Sequence, residues 1–560
     1  MVNATLEAVR SFFGSDADLP THVLSRTSKL SAMWAPRQTK MREWYKMIKL
    51  DNYLEQEDME SYITNQPKNV FRFARHLLVT SAIQDKISRA GIDAEQEPGF
   101  ERLEAAMSDF WVNLEQQAED RGRQGWLWEL SGLMVTLGWY SVFTDIDEHS
   151  VTADIWNPYQ VFPLWHPTKG LIEVVHNYTV DKSAAETNLE LMGVEVPGHL
   201  PAEVNVYNYW AMDGEVAKNT VVYDKTVIID RIGEKPYIPV IVGPASGMPD
   251  MGVLPNNRNW AGSWGEAVVA HNSAVLENYN KLQSYILQTA RDAANPRWVE
   301  YVNGGNPILD PDEIFKRGAI FTAENDERVE PLVGPTLPIE ATTSLRDIRA
   351  DVGTGSFNDT IMGDVQGTIS SVALATMIGN TRHLIDPYSK SIARIRRKAA
   401  TWWWNEMQEH RWKPYDADIS FGQIKGKVKW KTTVNLNIPG DLTNRATQAR
   451  MLSPEWEMSE SRVTELLFSG EIENMTVELA KRNAERANRH PVAVDMQLIE
   501  AYEQNAIRAR AANDLTKAAR WKKAAAAIEA QLGQRVGGQQ PQQLGPSSVV
   551  QPTSNGVLNA

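Results

Sequence analysis

The chain has 560 residues, and this length predicts roughly two to four folded modules instead of a single core. Hydrophobic residues make up 42% and charged residues 23% of the sequence, which is the composition of a folded globular protein. Cysteine is absent, which excludes disulfide bonds and thiolate metal sites. The net charge of −14 disfavours tight binding to nucleic acid, because phosphate contacts require Lys and Arg, but it is compatible with a protein through which DNA slides.

No targeting or membrane signal is expected from the sequence. The N-terminal stretch MVNATLEAVRSFFGSDADLP lacks a basic segment followed by an apolar one, so no secretory signal is predicted. No apolar run reaches the length of about 18 residues that a membrane-spanning helix needs.

The first quarter of the chain, residues 1–130, is predicted to be mostly helical. Apolar residues recur there at steps of three and four, which is the pattern of a helix with one buried stripe. The predicted helices cover residues 39–54, 69–88, 100–120 and 126–138.

Strand patterns begin at Gly138. β-branched and aromatic runs with turn residues between them continue to about residue 241, and Asp213-Gly214 is a hairpin signal. We therefore predict an α+β region over residues 1–261, which ends in the Pro/Gly-rich loop 242–259.

A long amphipathic helix is predicted over residues 264–293. Its apolar stripe consists of Val268, Val275, Tyr279, Leu282 and Ile286. A helix of roughly thirty residues spans about 45 Å and needs long partners, such as neighbouring copies of itself.

Residues 296–338 predict a small β module, with strand-like pieces at 297–302 and 319–322 and many Pro and Gly. A second helix is predicted at 342–352, with Leu345, Ile348 and Val352 as its stripe. Acidic residues outnumber basic ones in the β module, so we expect it to present a negative surface.

A polar, glycine-rich loop is predicted at residues 353–370, before a helix over 371–411 that contains Pro387. Proline removes a backbone hydrogen bond and clashes with the preceding turn, so a kink is predicted at Pro387. Residues 412–440 have strand character and 441–531 are helical. The last thirty residues or so are rich in Gln, Pro, Gly and Ser and are predicted to be disordered.

Sequence motifs for chemistry are mostly missing. The chain has no phosphate-binding loop, no H-E-x-x-H and no dinucleotide fingerprint, and its 10 histidines are scattered. The segment Ala261-Gly262-Ser263-Trp264-Gly265 resembles a nucleophile elbow, but no strand precedes it, and Ser263 with Glu266 fits a helix-capping box better. We therefore expect no catalytic residue, no metal and no cofactor.

Three further features allow two interpretations each. The 19 tryptophans suit a buried core or sugar stacking, and their apolar surroundings favour the core. The pair Asp145/Asp147 could serve a glycosidase, although surface carboxylates are more common. The basic cluster at 394–398 could contact phosphates or an acidic partner, and a solvated helix face or salt bridges between subunits is the favoured interpretation.

The order of these elements resembles the portal proteins of tailed double-stranded DNA bacteriophages. SWGEAVVAHNSAVLENYNKLQSYILQTARDAANP is similar to a stem helix, residues 296–338 to the clip, and TTSLRDIRADV to the returning stem helix. NDTIMGDVQGTISSVALATMIGNTRHLIDPYSKSIARIRRKAATWWWNEM resembles the tunnel loop with its kinked helix. DLTNRATQARMLSPEWEMSESRVTELLFSGEIENMTVELAKRNAERA resembles the segment that leads to the crown.

The resemblance implies an α+β, mainly helical fold with portal architecture. Its implied parts are a wing (1–261), a stem helix (262–295), a clip (296–338), a returning stem helix (339–355), a tunnel loop and kinked helix (356–411), wing strands (412–440), a helical crown (441–531) and a disordered tail (532–560).

The resemblance also implies a non-enzymatic subunit of a dodecameric ring at one capsid vertex of the virion, assembled in the host cytoplasm. Its implied partners are other copies of itself, the terminase large subunit, head-completion or adaptor proteins, major capsid and scaffolding proteins, and double-stranded DNA that passes through without tight binding. No membrane partner or cofactor is implied.

Site residues follow from the tunnel-loop and clip assignments. The tunnel loop offers polar and glycine residues to the DNA channel: Asn358, Asp359, Thr360, Gly363, Asp364, Gln366 and Thr368. The clip offers acidic residues for partner docking: Glu300, Asp310, Asp312, Glu313, Glu324, Asp326 and Glu327. Two alternatives stay open, a hydrolytic carbohydrate-active enzyme and another virion structural protein such as an adaptor.

Overall fold

The computed structural model describes residues 19–51, 60–88, 97–166, 168–232, 235–248, 264–294, 298–302, 326–331, 339–354, 356–357, 371–424, 428–438, 491–511 and 515–536. The chain divides into two compact units, Met1–Met451 and Leu452–Ala560. Helices and sheets occur together in the first unit, as the α+β prediction requires.

The described helices are α1 Leu19–Lys49, α2 Gln66–Val79, α3 Glu97–Asp120, α4 Trp126–Leu137, α5 Lys182–Leu191, α6 Ser273–Ala294, α7 Ile339–Thr354, α8 Ser371–His410, α9 Pro491–Ala511 and α10 Leu515–Val536. The described strands are β1 Ala82–Ile87, β2 Trp139–Ile146, β3 Val151–Ile155, β4 Val161–His166, β5 Gly170–Asp181, β6 Glu203–Asp213, β7 Val216–Tyr223, β8 Thr226–Ile232, β9 Val240–Pro244, β10 Trp298–Tyr301, β11 Arg328–Pro331 and β12 Trp430–Asn435.

The predicted helices at 100–120 and 126–138 are confirmed by α3 and α4. The helix predicted at 69–88 is wrong in its second half, because α2 ends at Val79 and strand β1 follows it. β1 pairs antiparallel with β12, with Ile83 opposite Val434. Because β12 is distant in sequence, nothing in the sequence around β1 indicates that pairing. The apolar residues of β1 are therefore as compatible with a helical period as with a strand.

The largest described sheet has five antiparallel strands in the order β4-β5-β6-β7-β8. Short hairpins join β4 to β5, β6 to β7 and β7 to β8, whereas α5 lies between β5 and β6. The β6–β7 turn confirms the Asp213-Gly214 signal because Gly214 has a φ of 66°. A second described sheet has the order β3-β2-β9.

Helix α1 covers the free edge of strand β4. Trp34 Nε1 donates to the carbonyl of Pro163 at 2.8 Å, and Arg37 Nη2 donates to the carbonyl of Val161 at 2.6 Å. Gln38 Nε2 donates to the carbonyl of Tyr159 at 3.0 Å. Proline contributes no N–H to this edge, so side chains of α1 take the place of another strand.

Arg37 is 2% exposed, and its guanidinium lies 4.3 Å from the ring of Trp34 and 4.8 Å from that of Trp139. Burial lowers the pKa of Arg37 to about 9. Among the described residues no carboxylate forms an ion pair with Arg37, and the two indole faces stabilise the cation.

Tryptophans dominate the core between α3, α4 and α8. Trp126, Trp139, Trp403 and Trp404 are all buried, which confirms the core interpretation for them. The Trp111 ring lies 4.9 Å from both Trp126 and Trp403. Aromatic pairs of this kind add to the stabilisation that burial alone provides.

One buried ion pair ties α8 to the β1–β12 ribbon. Arg396 donates to Asp85 Oδ2 through Nη2 at 2.7 Å and through Nε at 2.9 Å, and Asp85 is 8% exposed. The guanidinium also lies 4.6 Å from the centre of the Trp111 ring. Burial lowers the pKa of Arg396, and the Asp85 carboxylate opposes that shift.

The second unit contains α9 and α10, which pack against each other with Tyr502 and Trp521 5.3 Å apart. The helical prediction for 441–531 is confirmed over α9 and α10, and residues 441–490 lie outside the described part of the chain. Across the described residues, every helix is too short or too polar to span a bilayer.

Candidate functional site

Helices α6 and α7 form an antiparallel hairpin. Asn272, next to the first residue of α6, donates its side-chain amide to the carbonyl of Val352 near the end of α7 at 3.0 Å. At the other ends of the two helices, β10 pairs antiparallel with β11, with Glu300 opposite Val329. The two helices and the two-stranded ribbon follow one another along the chain, and we call these four elements the stem hairpin.

The predicted first helix is shorter than expected. α6 begins at Ser273 instead of about residue 264, and a 3₁₀ turn occupies Ala270–Asn272. Trp139 Nε1 donates to the carbonyl of Trp264 at 2.7 Å, and Gly265 has a φ of 70° against that indole. These contacts hold residues before 270 in a non-helical path, and Ser263, the predicted cap, lies outside the described residues.

The buried face of α6 is largely polar, which the sequence pattern did not predict. Leu276, Asn280 and Ser284 are 2%, 1% and 1% exposed. Of the predicted apolar stripe, Tyr279 and Ile286 are only half-buried. The stripe predicted for α6 is therefore not the face that the chain itself buries.

An extended segment, residues 60–64, explains the polar face of α6. Three backbone N–H groups donate to α6 side chains: Glu60 to Gln288 Oε1 at 3.0 Å, Tyr62 to Ser284 Oγ at 2.8 Å, and Thr64 to Asn280 Oδ1 at 3.0 Å. Two residues of extended chain advance about 6.6 Å and four residues of helix about 6 Å, so the two periods match. Arg291 adds an ion pair to Glu60 at 2.7 Å.

We expect Asn280→Ala to lower the free energy of unfolding by about 1–3 kcal/mol, because it leaves the Thr64 N–H buried without an acceptor. The matched control is Gln288→Ala, which removes the acceptor of the exposed Glu60 N–H and should lose less. Urea denaturation followed by circular dichroism measures both. Equal losses would contradict a role for this hydrogen bond.

Several apolar side chains of the stem hairpin face solvent. Tyr285 is 57% exposed, Leu287 41% and Tyr301 46%. On α7, Val352 is the one buried side chain among the described residues. A helix with so little of its own chain against it is only marginally stable alone, so this surface fits contact with further protein.

Helix α8 follows the stem hairpin and contains Pro387, as predicted. Ser391 Oγ lies 2.9 Å from both the Pro387 and the Ala245 carbonyl oxygens, so this hydroxyl links α8 to the residue after β9. The kink itself stays a prediction.

Residues 356–357 lie at the N-terminal root of the predicted tunnel loop. Phe357 is 1% exposed and its ring lies 5.0 Å from that of Phe73 in α2. The chain is therefore anchored to the core shortly after the end of α7. The predicted channel residues Asn358, Asp359, Thr360, Gly363, Asp364, Gln366 and Thr368 lie outside the described residues.

The ribbon brings together part of the predicted docking set. Glu300 and Glu327 are half-buried and Asp326 is exposed with a φ of 72°. Arg328 lies 3.6 Å from Glu330 and 4.5 Å from the Tyr301 ring, so this cation is held within the ribbon. The remaining docking residues, Asp310, Asp312, Glu313 and Glu324, and the strand predicted at 319–322 lie outside the described residues.

The carboxylates considered for hydrolysis have structural partners. Asp145 forms an ion pair with Lys235, and Asp147 accepts backbone hydrogen bonds from His149 and Ser150 at 2.7 Å each. Burial raises the pKa of Asp147, but the hydrogen bonds from His149 and Ser150 together outweigh this effect and hold the pKa below its usual value. Within the described ranges, no group of three or more His, Asp or Glu side chains is placed to hold a metal ion.

No protein-family model and no curated protein matches the chain. Among solved structures, a chain of the virion of a native gene transfer agent (GTA) particle is similar over 70% of this chain and 98% of its own, at 11% sequence identity and a TM-score of 0.35. A similarity of this size carries no argument about fold or function.

Proposed function

We propose that this chain is a virion structural protein and, more specifically, the subunit of a portal ring at one capsid vertex. The ring would form the channel for genome packaging and ejection and would dock the terminase and the head-completion or tail proteins. The observation that carries this proposal is the stem hairpin, in which α6 and α7 are closed by a two-stranded ribbon and followed by the 40-residue helix α8.

The exposed surface of the stem hairpin supports assembly into a ring. Tyr285 and Leu287 are apolar and more than two-fifths exposed, and α7 presents almost all of its described side chains to solvent. Head-to-tail contacts between identical subunits close into a ring when the rotation permits, and each contact buries a different surface on the two copies. Neighbouring hairpins would then provide the packing that a single chain lacks.

Charge supports a channel that does not retain DNA. Duplex DNA carries one phosphate charge per about 1.7 Å of axis, so a basic lumen would hold it. The net charge of −14 and the ribbon acids Glu300, Glu327 and Glu330 favour a surface along which DNA slides.

The proposed role is non-catalytic. Sugar stacking needs accessible indole faces, whereas Trp139, Trp403 and Trp404 are at most 2% exposed. The carboxylate of Asp145 is engaged by Lys235, which supports a structural role for it.

Ring assembly tests the proposal directly. The purified chain should form rings with a central hole in negative-stain images. The variant Tyr285→Glu/Leu287→Glu should be monomeric instead. Its melting temperature should equal that of the wild-type monomer, because both side chains are exposed in the single chain. The matched control is Leu191→Glu/Met192→Glu on the end of α5, where the exposed fractions are 81% and 52%. This control should still form rings.

A monodisperse wild-type monomer at high concentration in several salts would overturn the portal proposal. Rings that persist in Tyr285→Glu/Leu287→Glu would show that the stem hairpin does not form the contact.

A further inference from the structure

The part of α8 that follows Pro387 carries exposed basic side chains on one face. Lys390, Arg394 and Arg397 are exposed and follow each other at steps of four and three residues. We call these three residues the basic face. At about 3.6 residues per turn, they lie on the side of α8 opposite Trp403, which is 1% exposed.

Helix α3 carries exposed acidic side chains on one face. Glu101, Asp109 and Glu119 are exposed, and Val112, on the same side of the helix, is 62% exposed. We call the three carboxylates the acidic face. They lie on the side of α3 away from its buried stripe, to which Trp111 belongs at 4% exposure.

The basic face points away from α3. α3 and α8 meet through Trp111 and Trp403, whose ring centres are 4.9 Å apart, and through Arg396, which lies over Trp111. Because α8 directs Trp403 at α3, the basic face lies on the far side of α8. The basic face of one copy therefore does not meet the acidic face of the same copy.

The charges of the two faces are mostly unmatched within the chain. Among the described residues, Arg394, Arg397 and the acidic face have no ion pair, and Lys390 pairs only with Asp386 at 3.2 Å. Like charges at steps of three and four on a helix repel each other. An oppositely charged surface from outside the chain would remove this cost on the basic face.

We propose that the basic face of α8 in one copy docks against the acidic face of α3 in the next copy. This inference rests on the proposed ring and specifies which surfaces its subunits use outside the stem hairpin. A contact between two different surfaces of identical chains is the heterologous kind that closes a ring, and charge complementarity fixes its orientation. Nucleic acid is the other ligand for a basic face, but the presence of a matching acidic face on the same chain favours a second copy.

Charge reversal provides the experiment. Arg394→Glu/Arg397→Glu makes the basic face negative, and Glu101→Lys/Asp109→Lys makes the acidic face positive. Each variant alone should lose ring formation by at least about tenfold, because like charges then face each other. An equimolar mixture of the two should form rings again, since each variant offers the other a complementary face, and a single chain carrying all four substitutions should also form rings.

Negative-stain imaging and light scattering measure ring content, and circular dichroism at rising temperature shows that each variant is folded. The matched control is Glu190→Lys/Glu195→Lys, which changes the net charge as Glu101→Lys/Asp109→Lys does at exposed positions elsewhere. It should assemble as the wild type does.

Three results separate the possibilities. Wild-type chain that forms no ring overturns the proposed function itself. Rings in both reversed variants, or no recovery in the mixture and in the four-substitution chain, overturn this inference and leave the proposed function intact. If Arg394→Glu/Arg397→Glu forms rings but loses binding of duplex DNA in a gel-shift assay, the basic face binds nucleic acid and the inference is also overturned.

Discussion

Asp85→Ala should lower the free energy of unfolding by about 3–5 kcal/mol, because it leaves the Arg396 guanidinium buried without its counterion. The Arg396 side chain is 12% exposed and the Asp85 side chain 2%, so water cannot replace the lost carboxylate. Thr432 Oγ1, which donates to Asp85 Oδ1 at 2.5 Å, loses its acceptor as well. Urea denaturation monitored by tryptophan fluorescence measures the loss.

Asp85→Ala/Arg396→Met is the informative control for the buried pair. Replacing both charges by apolar groups is often close to neutral, so the double variant should recover most of the stability that Asp85→Ala loses. If the double variant lost as much stability as Asp85→Ala and Arg396→Met together, Asp85 and Arg396 would not be directly coupled.

Mild acid should destabilise the protein through His176. His176 is 9% exposed; its ring is stacked on Trp156 at 4.5 Å and lies 4.6 Å from the tilted ring of Tyr178. Burial lowers the pKa of His176 to about 3. In the unfolded chain the pKa of His176 is about 6.5, so below this pH the unfolded chain binds a proton that the folded chain does not. The free energy of unfolding therefore falls as the pH decreases below 6.5.

The expected loss from His176 alone is about 2–3 kcal/mol between pH 6.5 and pH 4.5, at roughly 1.4 kcal/mol per pH unit. His176→Phe keeps an aromatic ring in the stack but does not titrate. The free energy of unfolding of the variant should decrease less than that of the wild type over this range in parallel urea titrations. Identical pH profiles would show that His176 is not the titrating group.

Features that rest on local patterns could be predicted from the sequence. The steps of three and four in α3 and the glycine of the β6–β7 turn identified their elements directly. The helix–strands–helix order of the stem hairpin was predictable for the same reason, although the ribbon strands β10 and β11 occupy only part of the predicted β module.

Features that rest on distant partners could not be predicted. β1 became a strand because β12 supplies its hydrogen bonds. The polar face of α6 is buried because backbone N–H groups of residues 60–64 lie along it, and no periodicity in α6 itself indicates them. The early turns predicted for α6 are absent because Trp139 and Gly265 fix that backbone.

The packing of α1 against the edge of β4 affects how the chain folds during synthesis. Trp34 and Arg37 leave the ribosome long before Val161 and Pro163, the residues whose carbonyls they bind. Contacts between such distant segments are slow to form, since the loop between them must close first. Until β4 has been synthesised, the tryptophans of α1 remain exposed. Chaperones that bind apolar segments can then bind α1.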